Sequence, residues 1–223
     1  MRRYGRRRRR RLNTRGILVC ILLGLILVNA SIITVRLLRG RQPEAADVAV
    51  PDYVQQELLP VNRWSRPGNV LKQIDGVVIH YVGNPGTTAD ANRNYFESLA
   101  SGTEDTYASS HFVVGLEGEI IQCIPLTEVA YASKERNSDT VAVEVCHPDA
   151  GGEFAPDTYR SCVELTAWLC HTFELEPSED VIRHYDVTGK LCPKYYVEHP
   201  ESWEQFRADV TAEVAVLAAH EKK

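Results

Sequence analysis

Between Arg183 and Pro193 the chain carries His184, Lys190 and Cys192, an imidazole, an ammonium and a thiol in one short stretch. Imidazole and thiolate are ligands that zinc favours, and a catalytic zinc commonly takes three protein ligands and leaves its fourth position to water. His184 and Cys192 are eight positions apart, too far for one helical face but suited to a loop that folds back. A third ligand must come from elsewhere. His80 closes the apolar run Val77-Val78-Ile79-His80-Tyr81-Val82, just ahead of a Gly83-Asn84-Pro85-Gly86 turn. That position suits a ligand held on a rigid strand, and equally a core histidine satisfied by backbone, since imidazole is intermediate in burial preference. Glu144 interrupts the apolar run Thr140 to Cys146. An unpaired buried carboxylate costs several kcal/mol, so the alternatives are a structural ion pair, a nearby metal, or a role as a proton-carrying base. Lys190 is either solvated surface charge or a cation beside a reacting centre. His147, His171, His199 and His220 receive no functional role.

The elements that must position these residues follow from pattern. Gly76 to Val82 and Thr140 to Cys146 are apolar on both faces and β-branched, as central buried strands are. Ser110 to Val114 and Glu119 to Ile124, joined by Gly115-Leu116-Glu117-Gly118, read as a hairpin. Ala89 to Ala100 reads as a helix with Tyr95, Phe96 and Leu99 inward, and Asp52 to Gln56 as the start of a small one. Asp157 to Leu175 carries Cys162, Leu165, Leu169 and Phe173 at helical spacing. Ser202-Trp203-Glu204-Gln205 has the form of a capping box heading a last helix that buries Trp203, Phe206, Val210, Val214 and Leu217. The expectation is an α/β fold: a single domain with a central mixed β-sheet of about five strands flanked by helices, preceded by one transmembrane helix.

That helix is expected over residues 16–35, a run without charge and about long enough to span a bilayer. Nine Arg precede it and three follow, which places the 1–15 basic segment in the cytoplasm and the rest outside. Cleavage of a signal peptide after Val28-Asn29-Ala30, releasing a secreted domain, is the alternative. Residues 36–51 read as a linker and 52–223 as the extracellular domain. Beyond Arg41 the chain holds 13 Lys+Arg against 30 Asp+Glu, a net −17, which argues against nucleic acid as a partner. Six Cys show no dense disulfide framework, and Cys162 and Cys170 read as core residues.

The sequence resembles the zinc-dependent N-acetylmuramoyl-L-alanine amidases that include phage endolysin amidases, bacterial wall amidases and the peptidoglycan recognition proteins. Val78-Ile79-His80-Tyr81, Ser109-Ser110-His111-Phe112-Val113-Val114, Val141 to Cys146, Arg183-His184-Tyr185-Asp186-Val187 and Lys190-Leu191-Cys192-Pro193 carry the likeness, in order, from about Val61 to Tyr196. Asn62 to Gly68, with Arg66-Pro67-Gly68, looks like the bacterial branch. The resemblance implies that His80, His184 and Cys192 hold Zn2+, that Glu144 is the catalytic carboxylate, and that Lys190 assists. It implies peptidoglycan as substrate, through the amide between N-acetylmuramic acid and L-alanine. His111 falls where relatives keep a histidine that is not a ligand, and Ser110 stands where some relatives place Tyr. Two rivals are a non-catalytic peptidoglycan-binding module of the same fold and a structural zinc site with Cys146 as a fourth ligand. The protein is expected to act as a monomer.

Overall fold

The β-branched run Val77–Tyr81 lies in the interior of a six-stranded sheet in the computed structural model, which describes residues 42–220. The strands are β1 (Val54–Gln56), β2 (Val77–Tyr81), β3 (Phe112–Val114), β4 (Ile120–Gln122), β5 (Val141–Val145) and β6 (Val181–Arg183). Their spatial order is β1-β4-β3-β5-β2-β6. β3 and β4 pair antiparallel, as the hairpin reading expected, and the other neighbours pair parallel. The hairpin closes with Gly115 donating its N–H to Glu119 O at 2.7 Å. Gly118 in that turn has φ +85, and a Cβ there would meet Ser161 Oγ at 2.7 Å, so only glycine fits.

Strand alternation divides the sheet into two faces. Val77, Ile79, Val141, Val143 and Val145 pack with Cys162, Leu165 and Leu169 of a helix at Pro156–Thr172 and with Phe206 and Val210 of one at Pro200–His220. The opposite face buries Val113, Ile121 and Cys146 against Ala89 and Phe96 of α1 (Ala89–Ser98). The Thr88 hydroxyl caps α1 by accepting from Ala91 N–H. In order after α1 come α2 (Pro156–Thr172), α3 (Pro177–Asp180), α4 (His184–Thr188), α5 (Lys194–Glu198) and α6 (Pro200–His220). The pairing of β2 with β5 sets His80 opposite Glu144, so both side chains project from the same face near the strands' C-terminal ends.

Several expectations are corrected. The sheet has six strands and not about five: Val54–Gln56, expected to start a helix, pairs with β4, and Val181–Arg183 joins β2. Both are three residues long, too short for periodicity to reveal. His184 does not sit in an irregular loop but begins α4. Tyr95 is exposed while Phe96 and Leu99 are buried, because the inner stripe of α1 runs through Ala89, Asn92 and Phe96 on to Leu99, and Tyr95 falls beside it. Ser202 is not a cap, since α6 already starts at Pro200. Trp203, Phe206 and Val210 are buried, and Val214 and Leu217 are partly so.

Residues 42–51, read as a spacer, lie against the domain: Gln42 donates to Ile74 O at 3.0 Å and Phe173 O at 2.7 Å, and Val48 and Val50 pack on the core. The basic segment 1–15 and the span expected over 16–35 fall outside the described residues. Among the described residues no helix is long and apolar enough to cross a membrane. Cys123, Cys146, Cys162, Cys170 and Cys192 are free and buried.

The Asn62 to Gly68 stretch is a turn with a fixed anchor. Asn62 Oδ1 accepts from Trp64 and Ser65 N–H at 2.8 and 2.9 Å. Arg66 then grips Glu128 with two bonds of 2.7 and 2.8 Å and donates to Leu59 O. The pair is largely buried, so truncating one side strands the other charge. Arg66→Ala is expected to cost about 2 kcal/mol, between the values for exposed and fully buried pairs, read from denaturant unfolding.

Candidate active site

His80 comes from β2, Glu144 from β5, His184 from the first residue of α4, and Cys192 from the turn that follows it. The local sequence explains how the last two reach the sheet end. Asp186 accepts from the Arg183 backbone N–H at 2.9 Å and pairs with its guanidinium at 2.7 Å, which caps α4. Arg183 also donates to Tyr196 O at 2.9 Å and lies over the Trp203 ring at 5.4 Å. Gly189, with φ +75, ends α4 by donating to Tyr185 O. The chain then doubles back, and Tyr185 N–H donates to Cys192 O at 2.9 Å. The fold-back expected from the eight-residue spacing is therefore a helical turn plus a return.

The three donor atoms of His80, His184 and Cys192 lie within 4.8 Å of one another, and all three residues are buried. His80 Nδ1 is 3.1 Å from His184 Nδ1 and 4.0 Å from Cys192 Sγ. The other ring nitrogen of His80 is 3.1 Å from Ser133 Oγ. Cys192 Sγ accepts the Tyr81 N–H at 3.5 Å. Glu144 Oε1 stands 3.9 Å from His80 Nδ1, while its Oε2 is buried with no hydrogen-bond partner.

Electrostatics follow from burial. Desolvation holds His80 well below the ordinary imidazole range, with His184 and Lys190 adding to the effect. Burial, then Lys190 and Lys134, bring His184 down to about 4. Burial pushes Glu144 up to about 8, and the Lys190 charge opposes this. The Cys192 thiol is pushed up to about 12 by burial and by Glu144, against the Tyr81 N–H and Lys190. Lys190 itself is exposed, yet its field reaches all four groups.

A cleft of about 610 Å3 reaches the cluster at His184 and is lined also by Tyr107, Tyr131, Lys134, Asn137 and Lys190. A larger cavity of about 820 Å3, around Tyr159, Val163, Tyr195 and Asp209, is lined by none of the donor residues. Ser133 and Lys134 had no signal in the sequence, since a polar loop between strands carries no periodicity.

Cys146 does not join the cluster; its sulfur accepts from Asn92 Nδ2 at 3.5 Å. His111 spends both ring nitrogens on backbone: Nδ1 accepts from Ala142 N–H at 3.0 Å and Nε2 donates to Glu128 O at 2.9 Å. It ties β5 to the loop that Arg66 grips. Ser110 donates to Phe112 O and Ala142 O, so it too serves the sheet. Burial lowers His111 from 6.5 to about 4. An unfolded chain therefore takes up the proton first as pH falls. The stabilisation is complete above pH 6.5 and lost toward pH 4. His111 is expected to account for roughly 2–3 kcal/mol of lost stability between pH 7 and 4.5, so His111→Gln should flatten the pH dependence of unfolding free energy.

Residues 70–195 match the N-acetylmuramoyl-L-alanine amidase family. N-acetylmuramoyl-L-alanine amidase BlyA of Bacillus subtilis (strain 168) is 33% identical over 177 residues, covering 70% of this chain and 46% of that protein. N-acetylmuramoyl-L-alanine amidase CwlL of Bacillus licheniformis is 31% identical over 169 residues, with 70% and 46% covered. The chain spans about half the length of these curated relatives. The catalytic domain of XlyA superposes with a TM-score of 0.58 at 26% identity, covering 70% of this chain and 98% of that one. PlyL shares the fold with a TM-score of 0.60 at 21% identity, covering 70% of this chain and 96% of its own.

Proposed function

The chain belongs to the N-acetylmuramoyl-L-alanine amidase family, and from that premise we propose that it hydrolyses the amide joining the lactyl group of N-acetylmuramic acid to L-alanine in peptidoglycan. The observation that carries this reading is the convergence of two imidazoles and a thiol beside a carboxylate whose Oε2 has no partner. Zinc fits that donor set. Two nitrogens on one tetrahedral zinc stand about 3.3 Å apart, against 3.1 Å between His80 and His184 here. Burial keeps both imidazoles neutral, as ligation requires. Three converging donors, and no fourth among the described residues, support a catalytic site over a structural one.

His80, His184 and Cys192 would hold the ion, with Ser133 steadying the far nitrogen of His80. When bound, zinc supplies a Lewis acid that polarises the amide carbonyl and makes water more acidic. Glu144 takes a proton from the attacking water as its oxygen bonds to the lactyl carbonyl carbon. The same carboxyl returns that proton to the alanine nitrogen as the C–N bond breaks, since an amine leaves only when protonated. Lys190 donates to the carbonyl oxygen while negative charge gathers there. The products are a free lactyl carboxylate and a peptide with an N-terminal L-alanine.

The run of nine Arg followed by an uncharged stretch supports export with retention of the N-terminus in a membrane, single-pass, with the domain outside. The protein, loaded with zinc and incubated with peptidoglycan, should release new amino termini identified as alanine. Binding of muropeptides without such release would replace this reading with that of a binding module.

A further inference from the structure

Beyond the bond that is cut, the cleft carries a feature that bears on which stem peptides are taken. The chain after Arg41 has a net charge of −17, and a surface so acidic repels anionic ligands except where the sign is locally reversed. The cleft beside His184 is such a place. Lys134 and Lys190 line it, and none of its lining residues is acidic. None of the ion pairs among the described residues involves either lysine. Lys190 lies two residues before Cys192 and is assigned to the reacting carbonyl. Lys134 stands on a separate wall, a 3-10 turn at Lys134–Ser138 packed against α4, and the hydrolytic step leaves it without a task.

Its backbone is fixed. Lys134 has φ +50, a left-handed backbone that costs a non-glycine residue about 1 kcal/mol and persists only where surroundings impose it. The imposing group is Asn137, whose Oδ1 accepts from the N–H groups of both Ala132 and Ser133. Ser133 in turn stands 3.1 Å from His80 Nε2. One clamp thus fixes the residue that steadies a donor and, next to it, a cation facing the cleft. The Lys134 backbone is thereby held beside the donor cluster, with its side chain lining the cleft.

We propose that Lys134 recognises a free carboxylate on the stem peptide close to the L-alanine, so that the enzyme prefers acidic stems to amidated ones. This rests on the amidase reading and names the substrate class for that site. The pairing is exposed, so its contribution is modest, about fivefold in affinity at low salt, and it weakens as salt screens it.

The test uses the zinc-loaded full chain and two synthetic muramyl peptides that differ only in carboxylate versus carboxamide on the residue after L-alanine. Dissociation constants and kcat/KM are measured for wild type, Lys134→Asn and Lys134→Arg; Asn tolerates the left-handed backbone. The expected result is an acid-over-amide preference of about fivefold in wild type, retained by Lys134→Arg, collapsed toward one in Lys134→Asn, and narrowed at high salt. Absence of any preference in wild type, or its survival in Lys134→Asn, overturns the proposal. Failure of the amidase reading is separately visible as binding of both peptides with cleavage of neither, because the ratio of dissociation constants is read independently of turnover.

Discussion

Glu144→Gln is expected to lower kcat on muramyl peptides by roughly 10³-fold, within the range that a positioned acid–base group contributes. Zinc content and unfolding temperature should stay close to wild type. Glutamine keeps the shape of the side chain and can lie 3.9 Å from His80 as the carboxylate does, but it cannot accept and return a proton. Stability of the metal-free protein should hold, since burial pushes the Glu144 carboxyl there up to about 8 and the neutral amide imitates its protonated form, whereas a cation at the donor cluster favours the carboxylate that accepts the proton. The split between lost turnover and retained metal separates this role from a structural one. Hydrolysis at the wild-type rate by Glu144→Gln would remove Glu144 from the mechanism.

Cys192→Ser should lose bound zinc and, with it, activity. The substitution trades a soft donor for an alcohol that zinc does not favour. The site cannot compensate, because among the described residues only His80 and His184 share the cluster with Cys192. Burial and Glu144 raise the thiol to about 12. Only a strong cation beside it keeps the sulfur ionised at neutral pH, so the wild-type apo protein should react slowly with thiol reagents. Chelation of wild type should abolish hydrolysis and zinc should restore it. Full activity in metal-free wild-type protein would refute the metal assignment.

The residues at the site were more legible than the elements that carry them. His80 and Glu144 stood out because each breaks an apolar strand, and a polar group in such a run demands a reason. His184 and Cys192 stood out by type and spacing. The sheet's two outer strands were not legible. Val54–Gln56 and Val181–Arg183 each contribute three residues, and their strand character comes from pairing with β4 and β2, not from local pattern. The same holds for Ser133, Lys134 and Asn137, whose grouping arises from one amide oxygen serving two N–H groups. The capping signature at Ser202 misled because Pro200 had already begun α6 two residues earlier. His111 lies within a motif, yet both of its ring nitrogens are engaged by backbone, a use that its place in the motif did not reveal.

The fastening of Gln42 to Ile74 O and Phe173 O has a mechanical meaning. Ile74 lies six residues before His80 along the chain, ahead of the N-terminal end of β2, so at most about 20 Å of extended backbone separates the tether from that donor. The N-terminal side of the described domain is secured there by the two Gln42 hydrogen bonds and the packing of Val48 and Val50. Those contacts lie between the N-terminal side and the strand ends that carry His80 and Glu144, so load applied at Gln42 is expected to be taken up there first.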